Sequence, residues 1–216
     1  MSMIMGRWRR ELLTNETVIN KTNLMSKKIL IINGHPDKFS FCNALSEAYK
    51  KGAISSLARV KQINIRELEF KINLEFGYRK RTALEPCLIQ AQKDIFETDH
   101  LVIIHPVWWG SVPAIMKGFF DRIFLPGFFF KKKPNSKRWN KLLLNKSARI
   151  IYTLDTPRLL WWIVGRPSYH ALKYVTLGYC GVKPIKGTPI GIIRLSTEEQ
   201  RKKWLKKVEK LGSKNI

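Results

Sequence analysis

Three short stretches of this 216-residue chain hold the residues best suited to chemistry. The first is Gly34-His35-Pro36-Asp37-Lys38-Phe39-Ser40-Phe41-Cys42-Asn43, a turn that feeds a helix start. Unpaired backbone N–H groups and the positive helix end favour an anion such as phosphate at such a place. Ser40 suits a helix cap or a phosphate oxygen, and His35 can donate a hydrogen bond. The second stretch is Pro106-Val107-Trp108-Trp109-Gly110-Ser111. Its adjacent indoles offer flat surfaces to a planar ring, and Gly110 lets backbone approach that ring closely. The third, Thr153-Leu154-Asp155-Thr156-Pro157, supplies two hydroxyls and a carboxylate. Each stretch also has a plainer reading: Ser40 caps a helix, the tryptophans pack, and Asp and Pro start a turn. Neither G-x-G-x-x-G nor G-K-[ST] occurs, so the common nucleotide fingerprints are absent.

The elements that must position these stretches follow from hydrophobic periodicity. Strands are expected at 28–33, 60–65, 101–104, 148–153 and 190–193. Helical patterns begin at Phe41 and Leu84, and run over 112–125 and 168–180. Pro113 suits the first turn of the third helix. Thr197, followed by Glu198 and Glu199, reads as the cap of a last helix ending near Leu211. Residues 70–83 show no period and read as a loop. Strands and helices alternate five times, which predicts an α/β fold with helices on both faces of a parallel sheet. The spacing fits the doubly wound, flavodoxin-like order 2-1-3-4-5. In such sheets ligands sit outside the carboxyl ends of the strands, where all three stretches fall. One domain is expected over 25–216. Residues 1–24 lack a signal-peptide core and are expected to be disordered or non-native, since Met25-Ser26-Lys27-Lys28 resembles a start of its own.

Composition narrows the class. No apolar run approaches the ~18 residues of a membrane span. The three cysteines, Cys42, Cys87 and Cys180, are odd in number and lack C-x-x-C spacing, which suggests neither a disulfide framework nor a zinc site and suits a reducing cytoplasm. The formal net charge of +24 attracts phosphates, anionic lipid or nucleic acid. Its densest block, 131–149, is acid-free and reads first as a solvated loop. The remaining basic residues are spread along the chain, and no nucleic-acid reader motif is present. The apolar run 124–130 suits core burial or a dimer surface. Trp161 and Trp162, within 159–163, suit a pocket wall, a dimer or a lipid contact.

The segments ILIINGHPDKFSFCNAL, LEPCLIQAQKDI, HLVIIHPVWWGSVPAIMKGFFDRIFLPGFFF, ARIIYTLDTP and LGYCGVKP together resemble the flavodoxin-like NAD(P)H dehydrogenase (quinone) family. The resemblance runs from Ser26 to Leu211, and the T-x-D-T-P and Y-C-G-x-K-P pieces point to its bacterial branch. It implies a bound flavin, with NAD(P)H as hydride donor and a quinone or similar acceptor. FMN is favoured over FAD, because no long extension follows the last helix. The residues matched to the flavin site are His35, Ser40, Phe41 and Cys42, then Pro106, Val107, Trp108, Trp109 and Gly110, then Thr153, Leu154, Asp155 and Thr156. Cys42 stands where mammalian members carry asparagine, and the last segment lacks their paired glycines. No proton donor is named; Tyr152, Tyr169 and His170 suit packing as well as a pocket. The resemblance also implies a homodimer with shared active sites. The rival reading keeps the fold in a membrane-surface regulatory or binding module, such as the ancillary subunit of a potassium efflux system. The high charge and the Trp161-Trp162 patch motivate it, through peripheral contact with an anionic membrane.

Overall fold

The structure is a computed structural model that describes residues 26–216. The expectation for residues 1–24 therefore lies outside the described residues. Five parallel strands form the main sheet in the spatial order β2-β1-β3-β6-β7. Counted along this sheet alone, that is the expected 2-1-3-4-5. The first half contains β1 (Lys28–Asn33), α1 (Phe41–Ser55), β2 (Arg59–Asn64), α2 (Pro86–Glu97), β3 (His100–Pro106) and α3 (Ala114–Ile123). A hairpin, β4 (Phe130–Lys132) with β5 (Trp139–Lys141), precedes β6 (Ser147–Leu154). Then come α4 (Trp161–Val164), α5 (Arg166–His170), a π-helical stretch (Ala171–Leu177), α6 (Gly178–Cys180), β7 (Ile185–Gly191) and α7 (Glu198–Ser213).

The three central strands are β1, β3 and β6, and their apolar runs are buried almost throughout. A strand covered on both faces needs such a run, since successive side chains point to opposite sides. Leu30, Ile32, Leu101, Ile103 and Ile150 meet Leu88, Ile95, Met116, Phe119, Leu172 and Leu177 on one face. Ile29, Ile31, Val102, Ile104 and Ile151 meet Leu45, Tyr49, Ala53 and Val208 on the other. Helices α1 and α7 approach so closely that glycine is required. A Cβ on Gly52 would stand 1.9 Å from the Glu209 carbonyl oxygen, and one on Gly212 would stand 2.2 Å from that of Tyr49. Thr197 caps α7, as the sequence suggests, and its reciprocal bonds with Gln200 complete a capping box.

Several boundaries differ from expectation. The third helix is shorter than 112–125, because Pro113 is its cap and not its first turn. The fifth strand begins at Ile185, ahead of the expected 190. Its Gly187 and Pro189 are tolerated because β7 is an edge strand, where one side needs no ladder bonds. The helix expected over 168–180 is a continuous helical run but passes through a π-helical stretch. The basic block 131–149 is more than a loop, since it contains the hairpin. Trp139 anchors that hairpin by stacking on Tyr179 at 4.2 Å and donating Nε1–H to the Tyr179 carbonyl at 2.9 Å. Within 124–130, Leu125 and Phe129 are buried and Phe128 is exposed.

Residues 70–83 form the expected loop, and a buried arginine holds it. The Arg122 guanidinium, on α3, donates to the carbonyls of Lys71 at 2.5 Å and Ala83 at 2.7 Å. It also pairs with the Glu85 carboxylate at 2.7 Å. The Arg122 side chain has no exposed surface, so its charge depends on these partners. Arg122→Ala should therefore cost about 3–5 kcal/mol in chemical denaturation and open the 70–83 loop to proteolysis. A loss no larger than that of an exposed lysine on the same helix, Lys117→Ala, would remove the clamp reading.

Candidate functional site

The last ladder bonds of the sheet decide where its loops start. Gly34 N–H donates to the Ile104 carbonyl at 2.8 Å, and Val107 N–H donates to the Thr153 carbonyl at 2.7 Å. Beyond these bonds the loops after β1, β3 and β6 leave the same edge. Two side-chain contacts and one close backbone approach then bring them together. The His35 ring meets Trp108 edge to face at 5.5 Å. A Cβ on Gly110 would lie 3.7 Å from the Val164 carbonyl oxygen, next to α4. The Asp155 carboxylate accepts from Arg194 N–H at 2.6 Å, which adds the loop after β7. The result is one continuous ledge.

The first loop is folded by its own polar groups. The buried Asn33 side chain accepts from His35 N–H at 3.1 Å and donates to the side-chain carbonyls of Asn43 and Asn64. His35 Nδ1 accepts from Asp37 N–H at 3.0 Å, and Asp37 Oδ1 accepts from Phe39 N–H at 2.9 Å. Ser40 caps α1 by accepting from Asn43 N–H at 3.3 Å. The N–H groups of Phe41 and Cys42 precede the first intrahelical bonds and remain available at the helix end. Burial holds the His35 imidazole below its ordinary pKa, and Asp37 partly offsets this. With Nδ1 accepting, a neutral His35 carries its proton on Nε2, which makes it a donor to an anion.

The second loop is a tight turn closed by reciprocal bonds between Trp108 and Ser111, each 2.9 Å. Trp109 and Gly110 occupy its corner with φ of 51° and 71°. Two successive positive φ values suit glycine at the second position but are uncommon for tryptophan. The turn holds the two indoles apart. Trp108 lies against His35, whereas Trp109 stands fully in solvent at 102% relative exposure. In the third loop, Thr156 O accepts from Trp161 Nε1–H at 2.6 Å, which ties α4 to the end of β6.

The thirteen matched residues thus share the edge but not the same availability. His35, Ser40, Phe41, Val107, Trp108, Trp109, Gly110, Asp155 and Thr156 have exposed or partly exposed surface. Cys42, Pro106, Thr153 and Leu154 are buried. The Cys42 thiol sits 3.4 Å from the Thr153 hydroxyl, and burial pushes its pKa up to about 12. These four can offer a ligand only backbone. The Asp155 and Asp37 carboxylates already hold loop amides. Tyr152 is buried in a stack between His105 and Tyr169. Tyr169 reaches the Ile185 carbonyl at 3.4 Å, toward the amino end of the sheet, and so turns from the ledge. Arg166 donates to His170 Nε2 at 3.2 Å.

Two further groups join the site. Arg66, just beyond β2, has a buried Nη1 without a hydrogen-bond partner, and its charge acts on His35. From the other side, Trp204 lies 6.0 Å from the Phe41 ring, and the Arg201 guanidinium sits over that ring at 5.9 Å. The sequence signal for Arg66 is its place two residues past β2, at the same edge. The candidate motifs lie in the loops after the first, third and fourth strands, and the segment after the second carries none. Among the described residues no group of acidic, histidine and cysteine side chains could hold a metal ion.

A family model for the flavodoxin-like fold matches residues 27–211. The chain belongs to this flavodoxin-like family. Ribosyldihydronicotinamide dehydrogenase [quinone] of Rattus norvegicus is 26% identical over 207 residues, covering 84% of this chain and 89% of that protein. The crystal structure of Smu.1420 from Streptococcus mutans UA159 is 30% identical with a TM-score of 0.76, covering 87% of this chain and 99% of that one. An FMN-dependent NADH-azoreductase of Bacillus anthracis str. Ames Ancestor, solved with FMN, is 19% identical with a TM-score of 0.66. It covers 87% of this chain and 98% of that one, and this likeness is one of fold.

For this flavodoxin-like chain, nitrogen NMR of His35 should show the Nε2–H tautomer at neutral pH, titrating below the ordinary ~6.5. Asp37→Asn should lower the titration further, since the carboxylate favours the charged ring. A titration at or above the ordinary value would remove the neutral-donor assignment.

Proposed function

We propose that this chain is a flavin-dependent NAD(P)H oxidoreductase that reduces a quinone or a similar small acceptor. One flavodoxin-like domain over 25–216 carries the activity. The observation that supports this most is the meeting, on one ledge, of an anion-binding helix end with an exposed indole turn. The residues fit a flavin phosphate. They offer two free N–H groups on α1, a neutral His35 donor and the unpartnered Arg66 Nη1. FMN is the cofactor, with FAD the alternative. When bound, it supplies two-electron hydride exchange between NAD(P)H and the acceptor.

The chain's own residues do the rest. Ser40, Phe41, Cys42 and His35 take the phosphate, the last three through N–H groups. Trp108 and Trp109, with Pro106, Val107 and Gly110, border the flat ring. Thr153, Leu154, Asp155 and Thr156 shape its far side, chiefly through backbone. Loop amides at this edge would stabilise negative charge on a bound flavin. One site serving donor and acceptor in turn would predict ping-pong kinetics.

The protein acts as a homodimer in the cytoplasm. A cleft of about 450 Å³ beside α3, lined by Tyr78, Phe120, Phe124, Phe130, Val175 and Tyr179, supports a second copy there. Among the described residues no helix is long and apolar enough to cross a membrane. Contact with an anionic membrane is therefore peripheral. The spread of basic residues favours no nucleic-acid face.

The visible spectrum decides the chemistry. The purified protein should show a flavin band that bleaches with NADPH or NADH without oxygen and recovers with a quinone. Trp109→Ala and Arg66→Gln should each lower flavin occupancy. For Arg66, loss of one charge-assisted bond corresponds to about tenfold or more in affinity. A colourless protein that FMN and FAD both fail to reconstitute would instead favour the membrane-surface module.

A further inference from the structure

A cleft of about 720 Å³ runs between the edge strand β7 and helix α7. None of its lining residues lines the cleft beside α3 that suits a second copy. The two lie on opposite faces of the sheet: Trp204 and Leu211 pack with one core cluster, Phe120 and Leu172 with the other. Its floor holds Arg149 and Thr188, which are only 6% and 4% exposed. Its α7 wall is Gln200, Trp204, Lys207 and Leu211, spaced to share one helix face. Lys207 lies nine residues along α7 from Glu198, about 14 Å by helix rise, so this end of the cleft stands away from the ledge.

Hydrogen bonding leaves the cleft with donors. Arg149 Nε donates to the Ile216 main-chain oxygen and Nη1 to the Thr188 hydroxyl, each at 2.7 Å. Its Nη2 has no partner among the described residues and opens on the cleft. Thr188 Oγ1 accepts from Arg149, so its own proton is left to donate. The Gln200 carbonyl accepts from Thr197 N–H, which leaves its NH2 group. Lys207 adds an exposed ammonium. No carboxylate side chain lines the cleft, and Glu198 and Glu209 of α7 pair with Lys202 and Lys51. Such a set suits an oxyanion. The Trp161 and Trp204 indoles add flat apolar wall, and the volume is that of a small-molecule site. The strand edge itself disfavours an extended peptide. Ala148 N–H donates to the Pro184 carbonyl, so by ladder alternation Thr188 turns its backbone to β6 and Pro189 turns outward, where it has no N–H to offer. We propose that the cleft between β7 and α7 binds a small organic anion, with its carboxylate or phosphate on Arg149, Thr188 and Lys207 and its flat or apolar body against the indoles. The inference is independent of the oxidoreductase reading.

The full-length protein is titrated at low salt with AMP, benzoate, inorganic phosphate and adenosine, with and without FMN, and followed by NMR of amide and indole N–H groups. AMP or benzoate should shift the Thr188 and Lys207 amides and Trp204 Nε1–H, whether or not FMN is present. The tighter of the two identifies the anion as phosphate or carboxylate. Adenosine has the body without the charge and inorganic phosphate the charge without the body, so each should bind about tenfold more weakly. Lys207→Gln removes an exposed ammonium; it should melt like wild type, keep the flavin spectrum and bind the organic anion about tenfold more weakly. Arg149→Lys keeps the charge but loses the planar fork and should abolish the shifts. If that variant melts early, Lys207→Gln alone decides. Equal affinity in Lys207→Gln would overturn the proposal, as would no shift with any probe or inorganic phosphate binding as tightly as the organic anions. Shifts confined to His35, Ser40 and Phe41 that FMN abolishes would put the anion on the ledge and overturn it too. A protein that neither FMN nor FAD reconstitutes, but whose Thr188 and Lys207 amides still respond, would keep this inference and remove the oxidoreductase reading.

Discussion

A parallel strand ends where its neighbour stops offering backbone partners, and this rule arranges the whole candidate site. Gly34 N–H reaches Ile104 and Val107 N–H reaches Thr153, so the chain is released from β1 and β3 at one level. Everything beyond that level is loop, and everything before it is buried on two faces. The loops cannot wander far, because each starts from a fixed strand and leads to a helix packed on the sheet. The rigid centre thus positions a set of short, differently folded loops. The buried polar side chain Asn33 extends this control, since it fixes the path of the first loop from beneath.

The sequence made the core legible because its strands are short apolar runs with clear stops. Lys28 and Gly34 bound the first strand on both sides, and its limits read correctly to the residue. The fifth strand was harder, since Gly187 and Pro189 break the apolar pattern on an edge strand. The β4–β5 hairpin was hidden by its lysines. Its stability comes from Trp139 against Tyr179, a contact between residues 40 positions apart that no local pattern displays. The edge holding the candidate site was legible from topology, but the direction of each side chain was not. Cys42 and Thr153 alternate inward by the register of their elements, and Arg66 enters from a strand end that periodicity alone did not single out. Adjacent tryptophans looked alike in sequence, and only the turn's two positive φ values separate their environments.

The arrangement joins two opposite demands at one place. The first loop is stiffened by a dense set of side-chain-to-backbone bonds, as an anion site needs. Phe39, Trp109, Leu159, Trp162 and Leu195 on the neighbouring segments are largely exposed, which costs solubility unless something covers them. A net charge as high as this one offsets that cost by favouring solubility in water. The large charge and the exposed indoles are thus parts of one physical balance.

The buried thiols have a chemical consequence of their own. Burial pushes both Cys42 and Cys180 up to a pKa of about 12, so neither forms thiolate at neutral pH. Thiolate is the reactive form toward oxidants and alkylating reagents. Cys87 differs, with its thiol donating to the Glu69 carbonyl at 3.3 Å and partial exposure at the protein surface. The chain therefore carries a single natural attachment point for a dye or spin label, beside the loop clamped by Arg122 and away from the ledge.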